Sequence, residues 1–470
     1  MRGRARYCLL AAVAIGGLLA PLNSTMIATA LPEIRGDFSV NHASLGWLIS
    51  SYLIVMAVAT PLGGRLGDQI GRRLVIRWAL VLFLGFSLAA AVAPSFWVLM
   101  IFRTGQAIAG AAIMPNGMAM LRTSLPADEF GRFNGLNSAA IGAAAASGPL
   151  IGAVVLAVAP WQAIFVVNVP VVLLALLLIQ LLRYSEQPGG SASVDFAGVA
   201  LLSATLVAVT VALNSVQGGT QALIALLAVA GLGAVFVAAQ RRAAEPVIAW
   251  HLFRHRPFLA ATANVGMMNL VMYTTLLFVP FFIEEVQGGE SSRTGLLLGS
   301  MFVMMAVVAP ISGVLADRVG RRSPVIGGSA IAVAGATMLV FGLDADASFA
   351  LLAGALALIG LGVGASFGPA TAAAIESASV AEAGAAAGTN SMARYFGSIV
   401  GAGALAGLLN TGGGAAPEIA AFQTVMLLVL AMAVAGLAAA TMVHRFPAAE
   451  AGSESPGHAS LGSGPLADGG

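Results

Sequence analysis

The chain has 470 residues, of which 59% are hydrophobic and 9% charged, with a mean hydropathy of +0.93. A soluble chain carries roughly 25% charged residues, so the composition excludes a water-soluble globular protein and leaves one that crosses a bilayer many times. The formal net charge is +2, lysine is absent, and Cys8 stands alone, which excludes an intramolecular disulfide and a cysteine-built metal centre.

The chain begins with Arg2, Arg4 and Arg6 ahead of an apolar run from Cys8 to Ala20. Secretory leaders share that pattern, but here the run continues through Pro21 to Leu31 and is long enough to span. A span takes ~20 apolar residues. Fourteen stretches qualify: 8–31, 44–64, 75–94, 97–121, 134–157, 161–182, 195–214, 221–240, 258–283, 294–315, 324–343, 348–374, 386–409 and 419–443. Arginine placement orients them. Odd-to-even loops hold Arg35 and Arg293, whereas even-to-odd loops and the termini hold most of the rest, among them Arg72, Arg73, Arg122, Arg241, Arg242, Arg318, Arg321, Arg322 and Arg445. By the positive-inside rule both termini are expected in the cytoplasm, in a multi-pass protein of the cell membrane. A pI near 9.0 thus reports topology and not nucleic-acid binding. The tail from 447 to 470, rich in Gly, Ser, Pro and Ala, is expected to be a disordered cytoplasmic segment.

One polar stretch organises the rest. Gly64-Arg65-Leu66-Gly67-Asp68-Gln69-Ile70-Gly71-Arg72-Arg73 returns as Gly313-Val314-Leu315-Ala316-Asp317-Arg318-Val319-Gly320-Arg321-Arg322. Both copies follow the second apolar stretch of a half, and both read as a short polar turn with glycines for a tight reversal. The aspartate can accept hydrogen bonds from a helix start, and the arginines can hold the loop in water. A repeat at equivalent places points to a duplicated membrane protein. The second copy follows the tenth stretch, so stretches seven and eight are an insertion. The chain divides accordingly into a six-helix half at 1–185, an inserted pair at 186–245 and a second six-helix half at 246–446.

The repeated stretch resembles the cytoplasmic loop signature of the major facilitator superfamily. That resemblance implies an all-α polytopic fold of two six-helix halves, here with two inserted helices and fourteen transmembrane helices, and a secondary transporter whose halves rock about a central site. In span five, Gly142 to Gly152 contains Gly148-Pro149-Leu150-Ile151-Gly152. Small residues let helices approach closely and proline kinks them, so a plain packing seam accounts for the segment. It also resembles the Gly-Pro-x-x-Gly motif of proton-coupled antiporters. Trp161-Gln162-Ala163-Ile164-Phe165-Val166-Val167-Asn168-Val169-Pro170, Asp195-Phe196-Ala197-Gly198, Glu245-Pro246 and Leu252-Phe253 resemble landmarks of the fourteen-span drug/proton antiporters, so the likeness covers nearly the whole chain.

Span four carries Arg103 within Arg103-Thr104-Gly105-Gln106. An arginine inside a span costs about 2.5–3.5 kcal/mol on insertion scales, and this one lies eight residues in from Ser95, roughly 12 Å at 1.5 Å per residue. It is either a structural cation on backbone carbonyls or, as the resemblance implies, a polarising residue of a proton path. Span one departs from the family pattern. Leu22-Asn23-Ser24-Thr25-Met26-Ile27 holds Asn23 where the family has a membrane aspartate, at a depth like that of Arg103, so the two residues can face each other. An asparagine cannot titrate. Glu284, at the end of span nine where the family often has glutamine, is the alternative proton carrier; beside Glu285 it reads equally as an interfacial acid. Asn264 and Tyr273, with Met267, Met268 and Met272, form a candidate substrate wall. Arg394, ahead of Tyr395-Phe396-Gly397, resembles the family's Arg-x-x-Gly in span thirteen.

Neither a catalytic constellation nor metal-ligand spacing is visible, and Gly360-Leu361-Gly362-Val363-Gly364 lies inside an apolar span rather than in a phosphate-binding loop. The expectation is a monomeric, non-enzymatic efflux transporter without metal or cofactor. It exports lipophilic drugs or antibiotics in exchange for protons by alternating access, with the small substrate, protons and the bilayer as its partners. Asn23 leaves open a facilitator or metabolite exporter that is uncoupled or differently coupled. A non-transporting membrane sensor is the remaining alternative.

Overall fold

Hydrocarbon offers the backbone no partner, so each apolar stretch satisfies its own N–H and C=O groups as an α-helix. The computed structural model describes residues 3–124, 144, 147–182, 195–215, 220–243, 248, 250–289, 291–378, 382–409 and 419–443. The first half holds α1 (Gly3–Phe38), α2 (His42–Ile70), α3 (Arg72–Ala91), α4 (Phe96–Ser124), α5 (Ser147–Val158) and α6 (Ala163–Leu181). The inserted pair is α7 (Phe196–Asn214) and α8 (Thr220–Gln240). The second half holds α9 (Arg256–Glu285), α10 (Ser291–Val319), α11 (Arg322–Gly342), α12 (Phe349–Glu376), α13 (Ala383–Leu409) and α14 (Ile419–Thr441). Among the described residues thirteen helices are long and apolar enough to cross a membrane, and α5 is a shorter apolar helix. Gly142 and the start of the stretch expected at 134–157 lie outside the described residues, as do Glu245-Pro246 and the tail.

Most helices overrun the apolar stretches that announce them: α1 continues past Leu31 to Phe38, and α4 past Leu121 to Ser124. The polar interfaces add some 10–15 Å to the hydrocarbon core, and a helix crossing them keeps its own hydrogen bonds. In α6 the ladder is interrupted at Val167, because Pro170 has no N–H to give one turn back.

The repeated polar stretch is not the turn that its composition predicts. Gly64 to Ile70 belongs to α2 and Gly313 to Val319 to α10, and each reversal is made at a glycine, Gly71 at φ 101° and Gly320 at φ 85°. Asp68 and Asp317 are therefore last-turn helical residues. L side chains reach such dihedrals only with strain, typically 1–3 kcal/mol. Gly71→Val is expected to lower stability by about that amount, read as a lower thermal midpoint of the purified protein in detergent.

Helix packing repeats between the halves. In the first, α2 and α3 pack on α4, α1 packs on α6 and α4, and α3 meets α6. In the second, α10 and α11 pack on α12, α9 packs on α14 and α12, and α11 meets α14. The halves join along matched seams. Gly46 of α2 lies against Ala406 of α13, while Gly295 and Gly299 of α10 lie against Ala153 and Leu150 of α5.

The inserted helices pack on each other, and α7 also lies over the α2–α13 seam, where Leu213 meets Gly407 and Asn214 meets Gly46. Helix α8 is the least buried span, at 11% of its most apolar window. Its C-terminal Gln240 reaches Asp195, which also caps the start of α7 through the Gly198 N–H. That clip gives Asp195-Phe196-Ala197-Gly198 a structural role: a side chain at position 198 would displace Gln240. Leu252 is buried, and Phe253 continues a row of ring contacts from Phe236 and Trp250 to Phe258.

Candidate functional site

Arg103 is the largest fully buried side chain of the described residues, 1% exposed. Its Nη1 donates to Asn23 Oδ1 at 2.7 Å, so spans one and four meet at the depth their sequences share. The guanidinium lies 4.6 Å from the centre of the Tyr52 ring on α2 and 5.9 Å from that of Phe165 on α6. A desolvated cation over an aromatic face gains about 2 kcal/mol, which offsets part of the burial cost. Phe165 is placed by Trp161, which stacks on it edge to face and donates to Asp37 Oδ2 at 2.6 Å. The Trp-to-Pro segment therefore anchors one wall around Arg103. Gln106, one turn further along α4, donates to Ser87 of α3.

The second half closes over this cluster. Ser24 and Tyr273 share a hydrogen bond of 3.2 Å between α1 and α9. Tyr395 of α13 packs on the patch formed by Tyr52, Met56, Ala107 and Ala111. Arg394 turns toward Phe367, and Tyr273 lies within electrostatic reach of both arginines. Asn264 does not join it: its Nδ2 donates to Ser329 of α11 and the Gly436 carbonyl of α14, tying three helices of the second half together. Asn264 and Tyr273 thus face different neighbours rather than one substrate wall. Asn269 acts similarly, donating to the Arg394 carbonyl and to Ser398.

Gly148 and Gly152 press α5 onto α1. A Cβ on either would fall on the hydroxyl of Thr25 or Thr29, and Pro149 O faces Gly295 of α10 across the seam between halves. The Gly-Pro segment therefore touches α1 of its own half on one side and the opposite half on the other.

At the end of the bundle where α1 meets α2, the two neighbouring glutamates have different surroundings. Glu284 is exposed, whereas the Glu285 side chain is 4% exposed and pairs with Arg35 and with His42 Nε2, the latter at 2.8 Å. Arg35 and His42 come from the first half and Glu285 from the second, so this cluster bridges the two. Adjacent residues on a helix point about 100° apart, and two neighbouring glutamates carry no sequence signal as to which faces inward. The His42 signal was also missed, because a histidine ahead of a span looks like an ordinary interfacial residue.

At the other end the two repeated corners differ in detail. Asp68 accepts from Arg72 at 2.8 Å, and Arg73 donates to the Ile179 and Gln180 carbonyls that end α6. Asp317 pairs with Arg321, which also reaches Glu376 at the end of α12 at 2.9 Å, while Arg322 donates to the Thr441 carbonyl that ends α14. Each second arginine therefore caps the last helix of its own half, where the helix dipole favours a cation. Donation to the Glu376 carboxylate raises the Arg321 pKa above its ordinary value, so it stays charged across any working pH. Each of these contacts joins helices of one half, in contrast to the bridging cluster at the opposite end.

Comparison with known proteins agrees with this architecture. The profile of the Major Facilitator Superfamily matches residues 13–402 and 289–463. The chain is 31% identical over 368 residues to the Tetracenomycin C resistance and export protein of Streptomyces glaucescens, covering 77% of this chain and 68% of that one. It is 31% identical over 419 residues to the multidrug resistance protein Stp of Mycobacterium tuberculosis, covering 86% and 76%. Among solved structures a D-xylose-proton symporter superposes with a TM-score of 0.68 at 15% identity, covering 94% of this chain and 98% of the other, which speaks to the fold alone. The duplicated corners, the matched packing of the halves and the profile match lead to one statement: this chain is a multi-pass membrane transporter that belongs to the major facilitator superfamily.

Proposed function

We propose that this transporter exports lipophilic drugs or antibiotics from the cytoplasm in exchange for protons, by rocking its two halves about the Arg103 cluster. The observation that carries the reading is the seating of Gly148-Pro149-Leu150-Ile151-Gly152 between α1 and α10. A close-packed glycine face at the junction of the halves can seal one end while the other opens, without leaving a proton leak. The names of the two relatives, one for Tetracenomycin C resistance and export and one for multidrug resistance, support the same substrate class. In this reading the arginine-rich end with Asp68 and Asp317 faces the cytoplasm, both termini lie there, and the Arg35–His42–Glu285 cluster closes the outer end. The protein works as a monomer in the cell membrane, and the proton gradient is its only energy source.

One observation favours a second reading, a facilitator without proton coupling. Asn23 occupies the position expected for a titrating acid and is bonded to Arg103. The experiment that separates the two uses the purified full chain in proteoliposomes with an imposed pH gradient, and follows efflux of ethidium and of anilinonaphthalenesulfonate. Proton exchange predicts that at least one probe moves against its gradient and that a protonophore reduces its rate tenfold or more. Efflux indifferent to the protonophore sinks the antiporter reading and leaves the facilitator.

A further inference from the structure

The Arg103 site holds a buried positive charge with no negative partner among the described residues. Among the described residues no ion pair includes Arg103. The described carboxylates nearest the ends of the spans, such as Glu284, Glu285, Asp68 and Asp317, stand in terminal helical turns and not at this depth. What surrounds Arg103 instead is a set of unused hydrogen-bond donors: Asn23 Nδ2, Tyr52 Oη and Arg103 Nε are all buried without a partner. Asn23 spends its one acceptor on Arg103 Nη1, so the atom it has left is a donor. Arg394 adds a second cation, stacked on aromatic rings and likewise outside any ion pair of the described residues.

An isolated charge in a low-dielectric interior is expensive unless it is paired and hydrogen-bonded. Ring contacts alone offset only part of that penalty. A carboxylate at position 23 would pair with Arg103 internally and leave the centre neutral. With asparagine there, no described residue supplies the counter-charge.

We propose that the substrate itself supplies it: the site takes a lipophilic organic anion, a sulfonate, carboxylate or acidic phenolate, whose oxygens accept from Asn23 Nδ2, Tyr52 Oη and Arg103 while its rings lie against the Tyr52, Tyr273 and Tyr395 side chains. This deepens the export reading and rests on it for direction of transport. It separates this chain from one built for lipophilic cations, which would be repelled by two unpaired arginines.

The test compares two probes of one skeleton and opposite permanent charge, naphthalenesulfonate and naphthyltrimethylammonium, binding to the purified full chain in detergent by calorimetry. Naphthalenesulfonate is expected to bind at least tenfold more tightly. Arg103→Gln and Asn23→Asp are each expected to weaken the anion tenfold or more, the second because it supplies an internal counter-charge. Arg103→Lys keeps the charge and retains the preference, which a purely structural role for Arg103 would not require. Equal or tighter binding of the ammonium probe by the wild-type chain, no measurable binding of the sulfonate, or an unchanged preference in Asn23→Asp overturns the proposal. Failure of the export reading looks different: the sulfonate binds with the stated preference, but proteoliposomes show no efflux under a pH gradient.

Discussion

Gly148→Leu is expected to abolish efflux while the protein still reaches the membrane in normal amount. A Cβ at position 148 lands on Thr25 Oγ1 and lies 3.1 Å from both the Leu22 carbonyl and the Met26 amide. The threonine hydroxyl cannot swing away freely, because it already donates to the Pro21 carbonyl at 3.0 Å and is buried. Three further carbons then have to enter a seam between two backbones. Overpacking of this kind typically costs about 1–3 kcal/mol in a soluble core. Here the strain falls on the face where α5 meets α1, beside its contact with α10, so it acts on the motion and not only on stability. The comparison is Gly231→Leu on α8, where nothing lies within 4 Å of an added Cβ; it is expected to leave transport and abundance unchanged. Gly148→Ala is expected to lose most activity, and Thr25→Ala in the same chain to restore part of it by removing the hydroxyl. Wild-type efflux kinetics in Gly148→Leu would reduce the segment to an ordinary packing face.

How much of this was legible before the structure depends on whether a feature is local. The duplicated Gly64 and Gly313 stretches and the apolar runs between them carry the span count and the two-half architecture, because helix length and hydrocarbon thickness are linked along the chain. The meeting of Asn23 and Arg103 was readable from depth alone: Asn23 lies eight residues from Leu31 and Arg103 eight residues from Ser95. What sequence could not supply is direction around a helix. Nothing distinguished Glu285 from Glu284, or showed that Asn264 faces α11 and α14 while Tyr273 faces α1, since each choice is set by helix rotation in the packed bundle. The corners at Gly71 and Gly320 were misread because polar residues in a last helical turn look like loop. The cover that α7 forms over the α2–α13 seam was invisible for a further reason: an inserted hydrophobic pair reads the same whether it touches the bundle or stands in lipid.

Glu285→Gln is expected to loosen the end of the bundle that this structure holds shut, and Glu284→Gln is not. Glu285 bridges the halves through Arg35 and His42, which are themselves 2.9 Å apart. Without the carboxylate charge, two nitrogen-rich groups stay in contact with nothing to hold them together. Removing one partner of a buried pair costs about 3–5 kcal/mol; Arg35 is partly exposed here, so a smaller shift of about 1.5–2 kcal/mol is the reasonable expectation. Each 1.4 kcal/mol is a tenfold change in the balance between closed and open forms. A single-cysteine reporter reads that balance. With Cys8→Ser as background, Ile49→Cys introduces a thiol at a buried position that lines a cleft with His42, Phe281 and Leu405. A membrane-impermeant maleimide should label it tenfold or more faster in Glu285→Gln than in the parent. The same carboxylate-to-amide change one residue earlier sits on the exposed face and should leave the rate alone. Equal labelling in both variants would mean that the apolar packing of Gly46 against Ala406 holds this end closed without help from the charges.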